Sequence, residues 1–107
     1  MTKYLISFPA DAMTAALEDM PAVGEAARAV VEEAKAAGVY LFAGGIDEGA
    51  TPVRVSADGA VLDGAYPGSR LNGGFTALEL PTREDAVLWA AKLAAACRCA
   101  QELREFG

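Results

Sequence analysis

The stretch Asp58–Leu80, DGAVLDGAYPGSRLNGGFTALEL, decides how the rest of the chain is read. Asp58-Gly59 sits between two runs suited to β structure, so Thr51 to Asp63 reads as a hairpin with a two-residue turn. That turn sets a register in which Ala57 faces Ala60, Ser56 faces Val61, Val55 faces Leu62 and Arg54 faces Asp63. Residues directly opposite lie about 4.5–5.5 Å apart at Cβ, so Arg54 and Asp63 are expected to form an opposite-charge pair. Asp63 to Arg70 is then a glycine-bearing loop. Gly73-Gly74 opens a strand over Phe75–Leu80, with Phe75 and Ala77 on one face and Leu78 and Leu80 on the other. Pro81 ends it.

Upstream, KYLISF (residues 3–8) alternates as a strand, Tyr4, Ile6 and Phe8 on one face and Leu5 and Ser7 on the other. A short helix is expected over 11–18, capped by Asp11. Residues 21–37 form the clearest helix. Pro21 suits its first turn, and Val23, Ala26, Ala27, Val30, Val31, Ala34 and Ala37 make an apolar stripe. Glu25, Arg28, Glu32 and Lys35 lie opposite, as a solvated ladder of charges, and Gly38 is the expected C-terminal cap. The next strand, VYLFA (39–43), is apolar on both faces, with Val39, Leu41 and Ala43 on one and Tyr40 and Phe42 on the other. A strand covered on one side only should alternate, so its second face is expected to be covered too, most simply by a partner subunit. Gly44 to Gly49 is an acidic loop without a phosphate-cradle pattern.

Downstream, Thr82 and Asp85 are placed as a capping box opening a helix over 83–96. Its stripe is Ala86, Trp89, Ala90, Leu93 and Ala94, with Trp89 an anchor against the sheet. Residues 99–106 read as a final strand.

The 107 residues make a single domain (1–107), 53% hydrophobic and with a net charge of −6. The acidic balance, with its basic residues scattered, argues against nucleic acid and against anionic membranes as partners. No apolar run is long enough for a membrane span. The N-terminal MTKYLISFPADAM breaks too early for a secretory signal, and a cytoplasmic location is expected. Cys97 and Cys99 read as reduced thiols. Two cysteines without any histidine cannot fill a usual zinc site, and neither a metal nor a cofactor is expected.

The order of elements is strand, helix, strand, hairpin, strand, helix, strand. Without the hairpin it is βαββαβ, a ferredoxin-like α+β unit with an antiparallel sheet and two helices on one face. The open face should pack against a second copy, so a homodimer is expected. The chain resembles the YCII-related proteins, in the branch named for an Asp-Gly-Pro-Phe motif. The resemblance rests on the opening KYLISF strand, the helix ending Ala-Ala-Gly, and Ala43-Gly44-Gly45 leading towards Val53-Arg54-Val55. Asp63-Gly64 before Gly73-Gly74-Phe75, the helix Glu84–Ala90 and the final Glu102-Leu103-Arg104 complete it. It implies a dimeric α/β barrel with a cleft near the Asp-Gly loop. It also implies a His–Asp pair as an enzyme-like site. Here Ala65-Tyr66 stands where Pro-Phe would be, and Ala27 stands where many relatives carry the histidine. Asp63 is carried over; its imidazole partner is not.

Asp63 is therefore the best candidate for acid–base work, which needs a reacting group within hydrogen-bond reach; its competing roles are to line a pocket as a ligand contact or to close a turn beside Arg54. Arg70, in the glycine-rich loop, is suited to gripping a carboxylate or phosphate. Tyr66 and Arg54 complete the candidate ligand set. Ser69 has no histidine base, so a serine triad is excluded, and Cys97 has no activating neighbour other than Arg98. Two functions are open at this point. One is a dimer binding a small acidic or polar ligand in an enzyme-like pocket near Asp63-Gly64. The other is a non-catalytic interaction or regulatory module acting through its dimer and its acidic surface.

Overall fold

The computed structural model describes residues 1–107. In chain order the elements are β1 (Thr2–Phe8), α1 (Met20–Ala36), β2 (Tyr40–Gly45), β3 (Val53–Val55), β4 (Val61–Asp63), β5 (Gly74–Leu80), α2 (Arg83–Cys97) and β6 (Glu102–Glu105). Four strands form an antiparallel sheet in the order β2-β5-β1-β6, and β3 and β4 pair with each other in a separate ribbon. The fold is α+β, and its strand order is compatible with a ferredoxin-like βαββαβ unit carrying the ribbon as an insert.

Strand alternation builds the core. Tyr4 pairs with Leu78, and the next helix-facing positions are Ile6 on β1 and Leu80 on β5. All four are buried, and they share one cluster with Ala34 of α1 and Ala86 and Leu93 of α2. Both helices therefore pack on the same face of the sheet. Trp89 is half-buried against this cluster, with the Lys92 ammonium 5.4 Å from the centre of its ring. On α1 the buried stripe is narrower than its sequence spacing implies. Val23 and Ala34 are buried, but Ala26 and Ala37 are exposed. Alanine is indifferent to which face it occupies, so a run of alanines blurs the edge of a stripe.

Helix ends follow the sequence closely. Pro21 lies in the first turn of α1. The Thr82 hydroxyl accepts from the Asp85 N–H at 3.2 Å and donates to the Asp85 carboxylate at 2.9 Å. Thr82→Ala removes that cap and is expected to lower stability by about 1 kcal/mol, read from the urea-denaturation midpoint. The expected helix over 11–18 does not form. Two 3₁₀ turns, Ala10–Ala12 and Leu17–Asp19, flank an extended link instead. Its Asp11 carboxylate makes no N-cap hydrogen bond and pairs with Arg70. The last strand is shorter than expected, because Arg98 adopts a left-handed conformation (φ 58°) that ends α2 and turns the chain.

A bulge between Tyr40 and Phe42 changes the reading of β2. Tyr40 pairs with Leu78 and Ala43 with Thr76, on the helix side, whereas Phe42 pairs with Ala77 on the open side. Strict alternation puts Tyr40 and Phe42 on one face; the extra residue separates them. The open face thus carries one row, Phe42-Ala77-Leu5-Arg104, and a second, Gly44-Phe75-Ser7-Glu102.

The hairpin register also differs from expectation. Val53 pairs with Asp63, Arg54 with Leu62 and Val55 with Val61. The Gly59 N–H bonds to the Ser56 carbonyl, and Ser56 and Ala60 close the loop, so the turn spans three residues, with Gly59 at φ +87°. The Asp58 carboxylate accepts from the Ala60 N–H at 2.9 Å, an arrangement that favours the longer turn. One added residue moves Arg54 and Asp63 to opposite faces of the ribbon.

Candidate functional site

The ribbon and the loop after it hold all four residues singled out in the sequence, but the loop's far end carries Arg70 away from the other three. The Arg54 guanidinium does not meet the Asp63 carboxylate. It donates to the backbone carbonyls of Gly64 at 3.2 Å and Asp63 at 3.5 Å, and lies 5.8 Å from the centre of the Tyr66 ring. Arg54 thereby ties the base of the ribbon to the loop, a task that satisfies its planar donors. Asp63 and Tyr66 are exposed, and Tyr66 keeps 75% of its surface. Neither lines any of the three main clefts.

Arg70 lies elsewhere. Together with Gly68, Leu71 and Asn72 it overhangs the open sheet face beside Leu5, Ser7 and Arg104, enclosing a cleft of about 400 Å³. Its Nη2 bonds to both carboxylate oxygens of Asp11, at 2.9 and 3.0 Å, so its charge is already matched. The loop is held from beneath: the Asn72 side-chain oxygen accepts from the Ala10 N–H at 3.0 Å. Ser7 is buried by this overhang although it sits on the open side of the sheet.

The larger cleft, about 560 Å³, lies on the other side, between α1 and the β2–β5 edge. Its origin is in the sequence. Ala43, Gly44, Gly45 and Gly74 form a floor of small residues, and Ala27 faces it from the helix, so neither wall fills the gap. Phe8, Met13, Met20 and Val23 give it an apolar interior, of the size and character of small-molecule pockets. Its polar groups are few. Tyr40 and Thr76 line the sheet side, and Arg28, Glu32 and Lys35 stand along the helix rim. Lys35 is paired with Glu32 at 3.2 Å and sits 5.1 Å from the centre of the Tyr40 ring. Arg28 makes no ion pair and no hydrogen bond within the chain.

The sequence reading placed Arg28 in a solvated charge ladder and missed its position on this rim. The available signal was Gly24, one turn earlier. Glycine is a poor helix former, and at this position its missing side chain leaves room for the guanidinium, whose Nη1 lies 3.3 Å from where a Cβ would be.

Cys97 also lines the cleft. Burial pushes its thiol above the ordinary range, and the neighbouring Cys99 pushes it the same way. Cys99 is likewise raised by burial, partly offset by the side-chain contact from Gln101. Arg98 is engaged with Asp19 at 3.3 Å. At neutral pH the Cys97 sulfur is therefore a protonated wall atom and not a nucleophile. No three His, Cys, Asp or Glu side chains lie close enough together to hold a metal ion, and no helix is long and apolar enough to cross a membrane.

No protein-family model matches the chain, and a search of curated proteins finds no match.

Proposed function

We propose that this chain is a homodimeric small-molecule-binding protein of the YCII-related kind, whose pocket is the cleft between α1 and the sheet. The observation that carries the reading is that cleft: an apolar chamber of about 560 Å³ with a handful of polar groups at one side. The reading is of ligand binding, because the lining is mostly apolar and the one thiol in it, Cys97, is pushed up by burial. Asp63, the family-like carboxylate, lies apart from the chamber, and Ala27 lines it where an imidazole would stand in relatives. The βαββαβ order with an inserted hairpin supports the family reading. The apolar row Phe42-Ala77-Leu5 on the open face supports pairing of two sheets into an α/β barrel.

The test is methyl NMR with a set of small amphipathic fragments. Methyl signals of Met13, Met20 and Val23 are expected to shift on binding, and equally so in Asp63→Asn. Fragments that shift signals near Tyr66 and Arg54 instead, and lose that effect in Asp63→Asn, would move the pocket to the loop. The exposed Phe42 favours a second reading, in which the open face serves a different protein as a non-catalytic interaction module. A monomeric chain that binds no fragment is the result that would select it.

A further inference from the structure

We infer that the α1–sheet cleft takes an amphipathic monocarboxylic acid, with Arg28 as the group that holds the carboxylate; this rests on the cleft being the binding site.

The argument begins with charge. Acidic residues outnumber basic ones by 15 to 9 in this chain, so a cation without a carboxylate partner is unexpected. Lys35, Arg70, Arg83, Lys92, Arg98 and Arg104 each have one. Arg54 is satisfied by backbone carbonyls. Lys3 stands opposite Glu79 on the sheet. Arg28 has Glu25 and Glu32 as neighbours along its helix but makes neither an ion pair nor a hydrogen bond and has no acid opposite it on another element, and it alone among the arginines lines the large cleft. A guanidinium presents a planar fork of donors that matches a carboxylate.

The interior sets the rest of the ligand. Phe8, Met13, Met20 and Val23 offer an apolar body a place out of water, and methionines adapt to varied shapes. On the sheet side, the Tyr40 and Thr76 hydroxyls make no hydrogen bond within the chain, yet no side-chain polar atom is buried without a partner. Both hydroxyls thus belong to residues that line the cleft, are not sealed from water, and are free to accept or donate. At the far end, Phe8, Met13 and Met20 also border the loop that carries Asp47 and Glu48. A second anionic group on the ligand would meet those carboxylates, so a single charge at the Arg28 end is the favoured pattern. Glu32 stands on the same rim but is held by Lys35.

The test is isothermal titration of the intact protein with 4-phenylbutyrate and hexanoate, beside the neutral 4-phenylbutyramide, on the parent, Arg28→Gln and Ala27→Phe. The acids are expected to bind the parent about tenfold or more tightly than the amide. Arg28 is an exposed residue of α1, so Arg28→Gln should fold normally, and it is expected to bring acid and amide to equal affinity. Ala27→Phe, which fills the chamber, is expected to abolish both. Equal binding of acid and amide by the parent, unchanged in Arg28→Gln and lost in Ala27→Phe, overturns the carboxylate assignment while the cleft stands. Binding that survives Ala27→Phe in a folded protein, or no binding of any of the three compounds, overturns the cleft and the assignment with it.

Discussion

Gly73→Ala is expected to be the most damaging single-methyl change in the chain, costing about 3–5 kcal/mol. Two costs add at this residue. Gly73 has φ +81°, where a side chain meets the following carbonyl at a cost of about 1–2 kcal/mol. A Cβ would also lie 2.8 Å from the Ala10 nitrogen and 2.9 Å from the Pro9 carbonyl carbon, and closer still to the Phe8 carbonyl oxygen. These are backbone atoms, so no rotamer change relieves the clash. The corner after β1 must move away from the start of β5. That movement strains the Ile46 N–H bond to the Gly73 carbonyl and the Asn72 bond to Ala10. Against a total stability of about 5–15 kcal/mol, the loss is severe. Gly59→Ala is the control. It has a similar φ of +87° with no atom near its Cβ, so only the conformational cost of about 1–2 kcal/mol applies. Urea denaturation of both variants checks this: a Gly73→Ala midpoint no lower than that of Gly59→Ala would show that the corner yields without cost.

The same corner shows what was legible in the sequence. The Gly73-Gly74 step, the alternation of KYLISF and FTALEL, Pro21 and the Thr82–Asp85 box are local signals, and each marks the element it was expected to mark. The expected faces failed where one residue was gained. The extra residue in the Asp58-Gly59 turn separates Arg54 from the Asp63 carboxylate, and the bulge in β2 separates Tyr40 from Phe42. Hairpin and strand parity is a period of two, so a single insertion reverses everything beyond it; Asp58-Gly59 suits a two-residue turn and a three-residue one alike, and no residue of β2 announces its bulge. The candidate site was harder still. The cleft exists because small residues on β2 and β5 face a small residue on α1, a coincidence across elements far apart in the chain. Arg28 belongs to it through Gly24, and a charge ladder written along one helix gives no reason to single out one rung.

Phe42→Asp is expected to convert the proposed dimer into a monomer. Only 11 of the 107 residues are buried, all but one of them apolar, so a single chain supports a small core. On the open face Phe42 keeps 62% of its surface, and Ala77 and Leu5 continue the row. Two such faces related by a two-fold axis place Phe42 in the contact twice. Burying a phenylalanine ring contributes about 1.5–3 kcal/mol, hence roughly 3–6 kcal/mol for both copies. An aspartate there adds the cost of desolvating a charge that has no cation across from it. The dissociation constant should rise by at least about two to four powers of ten. Light scattering at micromolar concentration reads this directly, with the parent at twice the chain mass and Phe42→Asp at the chain mass. Circular dichroism of the variant separates dissociation from unfolding, since Phe42 lies outside the buried cluster of Tyr4, Ile6 and Leu78. A parent that scatters as a monomer removes the barrel from the proposal. A variant that stays dimeric places the contact on another surface, and the exposed Val87 and Leu88 of α2 are then the next pair to change.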